Sequence, residues 1–263
     1  MAPFFDTHAH LDFPDFAADL PQVIERAQAA GITRIITIGT DAESSKRAIA
    51  LAEKFPSVYA AVGWHPTHVS SAPDDIRLML RELAAHPKVV AIGETGLDYH
   101  RLPAPEEVDR YKTRQAKIFE QQLEVAAELK LNCIIHQRDS FEPTLQQMKP
   151  WVGKVSGVFH CFGGDTASMQ RVIEIGSLVS FTGIVTFKNA QTVRDTVAAT
   201  PLGKFMLETD CPFLAPVPYR GKRCEPAYVK EIADAIAEVK QCSLEDLSRV
   251  TNATAEYFFR KVS

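Results

Sequence analysis

Phe4-Phe5-Asp6-Thr7-His8 opens the chain as a short apolar run and leads directly into Ala9-His10-Leu11-Asp12. In a doubly wound dinucleotide-binding sheet, the first strand would run into a glycine-rich turn that cradles phosphate. Here the turn carries histidines and no glycine, which weighs against such a site. Working outward, comparable runs recur at 32–39, 58–64, 89–94, 132–136, 155–160, 178–181 and 204–208. They are continuous rather than alternating, as suits strands buried on both faces of a parallel sheet. Helical patterns fill most of the gaps, at 20–30, 44–55, 110–129, 166–175, 225–239 and 244–259. Gly31 and Gly176 stand where helix-ending glycines belong, and Pro56 stops the helix before it. Strands alternating with helices in this way predict an α/β fold, a TIM (β/α)8 barrel forming a single domain over 1–263. A doubly wound sheet is the alternative.

The composition sets limits on function. With 263 residues, 46% of them hydrophobic, the chain can bury a large core. Its formal net charge of −4 means that a polyanion would have to be gripped by a local basic patch rather than by a global field. The five cysteines (Cys133, Cys161, Cys211, Cys224 and Cys242) contain no CxxC pair, which points to reduced thiols in a reducing compartment. No apolar run is long enough to span a bilayer, and no basic segment precedes an apolar one at the N-terminus. A cytoplasmic monomer without membrane contact is expected. No Gly-x-Ser-x-Gly elbow supports a serine mechanism, and a cysteine nucleophile is not expected either.

The polar residues collect where strand patterns stop. His8 and His10 close the first strand, His65 follows the third, and Glu94 ends the fourth. His136 ends the fifth, His160 the sixth, and Glu208 and Asp210 the eighth. In a barrel these ends converge on one mouth, so residues two hundred positions apart meet in one pocket. Strand alternation puts His8 and His10 on one face, and Glu208 and Asp210 on another shared face. A lone buried histidine is more often a core residue with its polar atoms satisfied. The set as a whole, with carboxylates among it, points instead to metal binding. Mixed histidine and carboxylate donors suit Mg, Mn, Zn, Ni or Fe. The donors are too many for one tetrahedral ion, so two divalent ions are expected, with Glu94 bridging them. Such a pair, roughly 3.5–4 Å apart, clamps attacking and leaving oxygens in a displacement. Glu94, Glu208 and Asp210 are the acids expected to serve catalysis, with Asp210 orienting the nucleophilic water and managing its proton. A helix N-cap before Pro212 is the structural alternative for Asp210.

At this point the motifs become recognisable. Asp6-Thr7-His8-Ala9-His10-Leu11-Asp12, Gly63-Trp64-His65-Pro66 and Gly93-Glu94-Thr95-Gly96-Leu97-Asp98-Tyr99 occur in that order. His136-Gln137-Arg138-Asp139, His160-Cys161-Phe162, Ser180-Phe181-Thr182-Gly183-Ile184 and Glu208-Thr209-Asp210-Cys211-Pro212 complete the series. Together they resemble the TatD family of metal-dependent hydrolases over nearly the whole chain, nearest its YcfH-like branch. The resemblance implies an amidohydrolase-like TIM barrel with phosphodiesterase action on DNA, as deoxyribonuclease and exonuclease. It also implies that His8, His10, Glu94 and Asp210 hold one ion and that Glu94, His136 and His160 hold the second. His65 would line the pocket near the substrate phosphate. Three positions depart from the family pattern: Ala9 replaces a common Cys, Cys211 a common Ser, and Cys224 the usual Asn. None of them supplies an expected ligand, although Cys224 bears on how the mouth is shaped.

Substrate contacts are expected from Arg138, whose guanidinium can clamp a phosphate bidentately, and from Lys188, Arg220, Lys222 and Arg223 on later loops. Trp64, Tyr99, Phe162, Phe187 and Tyr219 lie near these loops, where an aromatic ring either packs or stacks on a base for roughly 1–3 kcal/mol. His68, His86 and His100 fit loop or surface positions, and Cys133 the barrel interior. The expected activity is metal-assisted hydrolysis of phosphodiester bonds in DNA, single-stranded or at 3′ ends. Two rivals stand beside it. One is hydrolysis of ester or amide bonds, for example in aminoacyl-tRNA, although the carbamylated lysine that would favour it is replaced by Glu94 on the fourth strand. The other is a metal-stabilised binding barrel without turnover.

Overall fold

Parallel strands cannot be joined by a tight turn, so each needs a crossover, and a helix is the usual one. The computed structural model, which describes residues 2–262, repeats this unit around a ring. Its strands are β1 (Phe4–Ala9), β2 (Ile32–Ile38), β3 (Val58–Val62), β4 (Val89–Asp98), β5 (Asn132–Arg138), β6 (Gly157–Phe159), β7 (Leu178–Phe181) and β8 (Phe205–Leu207). Its helices are α1 (Leu20–Ala29), α2 (Ala42–Lys54), α3 (Arg77–Ala84), α4 (Val108–Leu129), α5 (Phe141–Met148), α6 (Thr166–Glu174), α7 (Gln191–Ala199), α8 (Val229–Lys240) and α9 (Leu244–Phe258). The strands lie in chain order, and each pairs in parallel with the next. A bridge between Ala9 and Cys211 brings the two edges of the sheet together. Backbone hydrogen bonds reinforce that seam, from His10 N to Cys211 O at 2.8 Å and from Asp210 N to His8 O at 2.9 Å. The eight-stranded TIM-type barrel read from the sequence is therefore the observed architecture.

Every residue of β1, β3 and β4 is buried, which is why those segments lack alternation. One apolar cluster joins Ile36, Ile134, Val158 and Met206 to Phe258 and Phe259 at the end of α9. Ile134 and Val158 precede His136 and His160 by two residues, so they share the inward face of their strands. The ligand candidates thus stand on top of a packed column that the last helix closes from below. Among the described residues, no helix is long and apolar enough to cross a membrane.

The fourth strand departs from its expected end. It runs past Glu94 to Asp98, because residues from Thr95 to Asp98 pair with those from Ile135 to Arg138. Gly93 and Gly96, poor strand residues, hide this continuation in the sequence. Both have positive φ, at 136° and 133°, and both lie against β5. A Cβ at Gly93 would meet Ile134 O at 2.6 Å, and one at Gly96 would meet His136 O at 2.1 Å. The ladder slips by one residue between Ile92 and Thr95. Bulges of this kind re-aim a side chain, and this one sits at Glu94. The short helices α3, α5 and α7 are additions to the expected set, since eight or nine residues give a weak periodic signal.

Candidate metal centre

The mouth is organised around Glu94, whose side chain is almost fully buried. Its two oxygens face different partners. Oε2 lies 3.6 Å from His8 Nε2 and 3.7 Å from His10 Nε2. Those two imidazole nitrogens are 3.3 Å apart, and Asp210 Oδ1 stands 3.7 and 3.4 Å from them respectively. Glu94 Oε1 lies 2.8 Å from both His136 Nδ1 and His160 Nε2, and 3.3 Å from His65 Nε2. Donor atoms of His8, His10 and Asp210 lie within 4.8 Å of one another, as do those of His65, Glu94 and His136.

This donor set fits divalent cations. Carboxylate oxygens and unprotonated imidazole nitrogens are all electron-pair donors, and crowding them in a buried pocket is costly without a cation between them. His8 Nδ1 and His10 Nδ1 are buried without hydrogen-bond partners among the described residues, so the outer nitrogens do not explain the inward crowding. His136 differs, because its outer nitrogen Nε2 lies 3.0 Å from Asp98 Oδ2.

The electrostatics follow this geometry. Burial alone would raise the pKa of Glu94, but the charge of His160 and hydrogen bonds from His136 and His160 hold it well below the ordinary carboxylate range. Burial lowers His65 to about 4, against the pull of Glu94, and favours the neutral ring. Burial and the neighbouring His160 lower His8 as well. Asp98 sits at about 2, because hydrogen bonds from His136 and the His100 backbone outweigh its desolvation.

Helix α4 fixes two of these groups from behind. Gln122 accepts from Trp64 N at 2.8 Å and donates to Trp64 O at 3.0 Å, clamping the residue before His65. Gln115 accepts from Asp98 N at 2.9 Å and donates to Asp98 O at 3.0 Å. The two glutamines are seven residues apart, on one helix face. The sequence reading missed both, and also missed Asp98. Polar residues recurring at that spacing on an apolar stripe were the available signal. For Asp98 it was its place four residues after Glu94, on the same side of an extended strand.

Glu208 is placed differently from the expected pairing with Asp210. β8 ends at Leu207 and Asp210 has φ 57°, so strand alternation does not govern this segment. Asp210 turns to His8 and His10, while Glu208 is buried behind His160, with Oε1 3.6 Å from its Nδ1 and accepting from Cys161 N at 2.6 Å. Asp210 is not a helix N-cap; its carbonyl accepts from Phe213 N in a turn. Arg138 and Lys188 are exposed. Arg220 lies flat on Phe187, 3.8 Å from the ring centre, and donates to Ala215 O. Arg223 is paired with Asp19.

The aromatics expected near the loops have their surfaces taken. Trp64 and Phe162 are buried, Tyr99 carries Lys112 over its ring, Phe187 carries Arg220, and Tyr219 stacks on Tyr228. Instead Phe13 and Phe213, unremarked in the sequence, flank His10.

A parallel barrel with histidines and carboxylates gathered at the C-terminal ends of its strands defines a metal-dependent hydrolase. Comparison with known proteins specifies which kind. The family model described as TatD related DNase matches residues 5–260, and the chain belongs to that family. It is 40% identical to the uncharacterized metal-dependent hydrolase YabD of Bacillus subtilis, over 97% of this chain and 98% of that one. It is 35% identical to a protein of Citrobacter rodentium named 3'-5' ssDNA/RNA exonuclease TatD, over 97% of each. Among solved structures, the TatD homologue YJJV of Escherichia coli superposes with a TM-score of 0.90 at 28% identity, covering 98% of both chains.

Proposed function

We propose that the protein is a deoxyribonuclease that removes nucleotides from the 3′ end of single-stranded DNA, using two divalent ions, Mg, Mn or Zn. The observation that carries the reading is the division of Glu94, one oxygen toward His8 and His10 and the other toward His136 and His160. The first group, with Asp210, would hold one ion, and the second would share Glu94 to hold the other. Ions so bound supply a water activated near neutral pH and neutralise charge developing on phosphate oxygens.

The chain's own residues do the rest. Asp210 is the most open acid of the centre, its side chain 15% exposed against 4% for Glu94, and is the group able to orient a water arriving from solvent. Glu208, buried behind His160 and accepting from Cys161 N, sets a negative charge 3.6 Å from the outer nitrogen of that ring. His65, neutral at working pH, borders the pocket beside Glu94 and can donate to a phosphate oxygen. Arg138 and Lys188, both exposed, are the cations best able to meet a phosphate backbone, with Arg220, held on Phe187, as a further candidate. The exonuclease name of the Citrobacter relative supports the choice of substrate.

The test is metal analysis of purified protein together with a nuclease assay on 3′-labelled single-stranded DNA, with and without chelator. Cleavage that chelation abolishes and metal restores is expected, and Glu94→Ala and Asp210→Asn should remove it. Cleavage that survives in both variants would trace to a contaminant and overturn the reading. So would turnover of aminoacyl-tRNA or a lactone with none of DNA.

A further inference from the structure

Phe213 is an apolar ring with 51% of its surface in water, beside a polar centre. Its position is not that of a loose loop tip. Phe213 N donates to Asp210 O at 3.0 Å, so the ring stands one turn beyond a proposed ligand. Phe13 repeats the arrangement one turn beyond His10, with Phe13 N donating to His10 O at 3.2 Å. The Phe13 ring stacks on His10 with centroids 4.7 Å apart, and Phe213 meets Phe13 edge to face at 5.9 Å. Phe213 also lies 6.4 Å from the His10 ring. The loop is pinned on either side of Phe213, by Cys224 N on Pro212 O at 3.0 Å and by Leu214 O packed against Gly183.

A ring held open to water next to a hydrolytic centre can receive an occupant that is flat, apolar on its faces and attached to the reacting group. From this placement we infer that Phe213, backed by Phe13, is a stacking platform for the unpaired base of the nucleotide being cleaved, and that it sets the preference for single strands. The inference rests on the nuclease reading above. In a duplex the terminal base is held by pairing and by the neighbour on its inner face, so it can turn onto this ring only when it is free or frayed. Stacking of a base on an aromatic ring contributes roughly 1–3 kcal/mol and tolerates any base, since each has a π-face. That suits an enzyme that removes nucleotides in succession. Phe213 is a positioning residue on this account, acting on the base and not on the phosphate.

The experiment compares kcat/KM for a single-stranded oligonucleotide with that for the same strand bearing an abasic 3′-terminal nucleotide. It uses the metal-loaded wild type and the Phe213→Leu and Phe213→Trp variants. Quenching of a 3′-terminal 2-aminopurine on binding is followed in parallel. Wild type should favour the strand with its base by about 5–150-fold, the range that the stacking energy converts to. Phe213→Leu should bring that ratio toward one, through KM, and weaken the quenching; Phe213→Trp should restore both. A ratio unchanged by Phe213→Leu, or equal losses on both strands, would show a plain apolar contact and overturn the inference while leaving the nuclease intact. A wild type that cleaves neither strand with any of the metals would instead sink the nuclease reading on which it depends.

Discussion

Asp98 Oδ2 lies 3.0 Å from His136 Nε2, on the opposite side of the imidazole from Glu94, which Nδ1 faces at 2.8 Å. The carboxylate therefore fixes which nitrogen carries the proton and leaves Nδ1 free to bind a cation. Outer partners of this kind typically contribute 10–100-fold in metal affinity. Asp98→Asn should weaken binding by about that factor, measured by competition with a chromophoric chelator. Unchanged affinity would show that Asp98 merely fills space.

Gly96 presses against the strand that carries His136. An alanine there would bring Cβ to within 2.1 Å of His136 O and would have to adopt φ 133°. Strain at such a backbone costs roughly 1–3 kcal/mol even before the collision with β5 is counted. Gly96→Ala should lower the unfolding midpoint in denaturant and reduce metal content together. A stable variant with normal metal content would contradict the close approach.

Gln122→Leu keeps the side-chain volume nearly constant but leaves Trp64 N–H and C=O without their partner. Each orphaned buried group costs roughly 1–3 kcal/mol. Thermal unfolding should shift down, and KM should rise because the segment carrying His65 loses its anchor. A drop in stability with unaltered KM would separate the anchor from the site.

Asp6 supplies the pH prediction. Burial raises it from 3.8 to about 8, against hydrogen bonds from Thr209 and the His8 backbone, with Glu208 adding to the rise. Between about pH 4 and 8 the folded chain keeps a proton that the unfolded chain has lost, so this group makes stability fall as pH rises through that window and level off above it. Asp6→Asn should flatten that slope in chelator-treated protein. Identical slopes in urea titrations from pH 5 to 9 would refute the assignment.

The barrel was readable because burial on both faces of each strand leaves unbroken apolar runs, and because His8, His136 and His160 stand where those runs stop. What the sequence concealed was set by backbone irregularity. The glycines that let β4 approach β5 read as a strand end and masked Asp98, and the left-handed backbone at Asp210 removed Glu208 from the face it was expected to share. Arg220 was named as a substrate contact, and the loop aromatics as rings that either pack or stack on a base, from position alone. Position does not reveal that Arg220 covers Phe187 or that Tyr219 covers Tyr228. Phe13 and Phe213 escaped notice because their turns bring them to His10 only when the first and last strands meet.

That meeting has a consequence for how the protein is made. His8 and His10 come from the first strand and Asp210 from the end of the last, joined by the Ala9–Cys211 bridge, while His136 and His160 come from the far arc of the ring. A nascent chain still lacking its final strand therefore displays only part of the donor set. Cation binding would then act as a clasp, rewarding the fully wrapped ring and keeping a hydrolytic centre from assembling before synthesis has passed its last contributor.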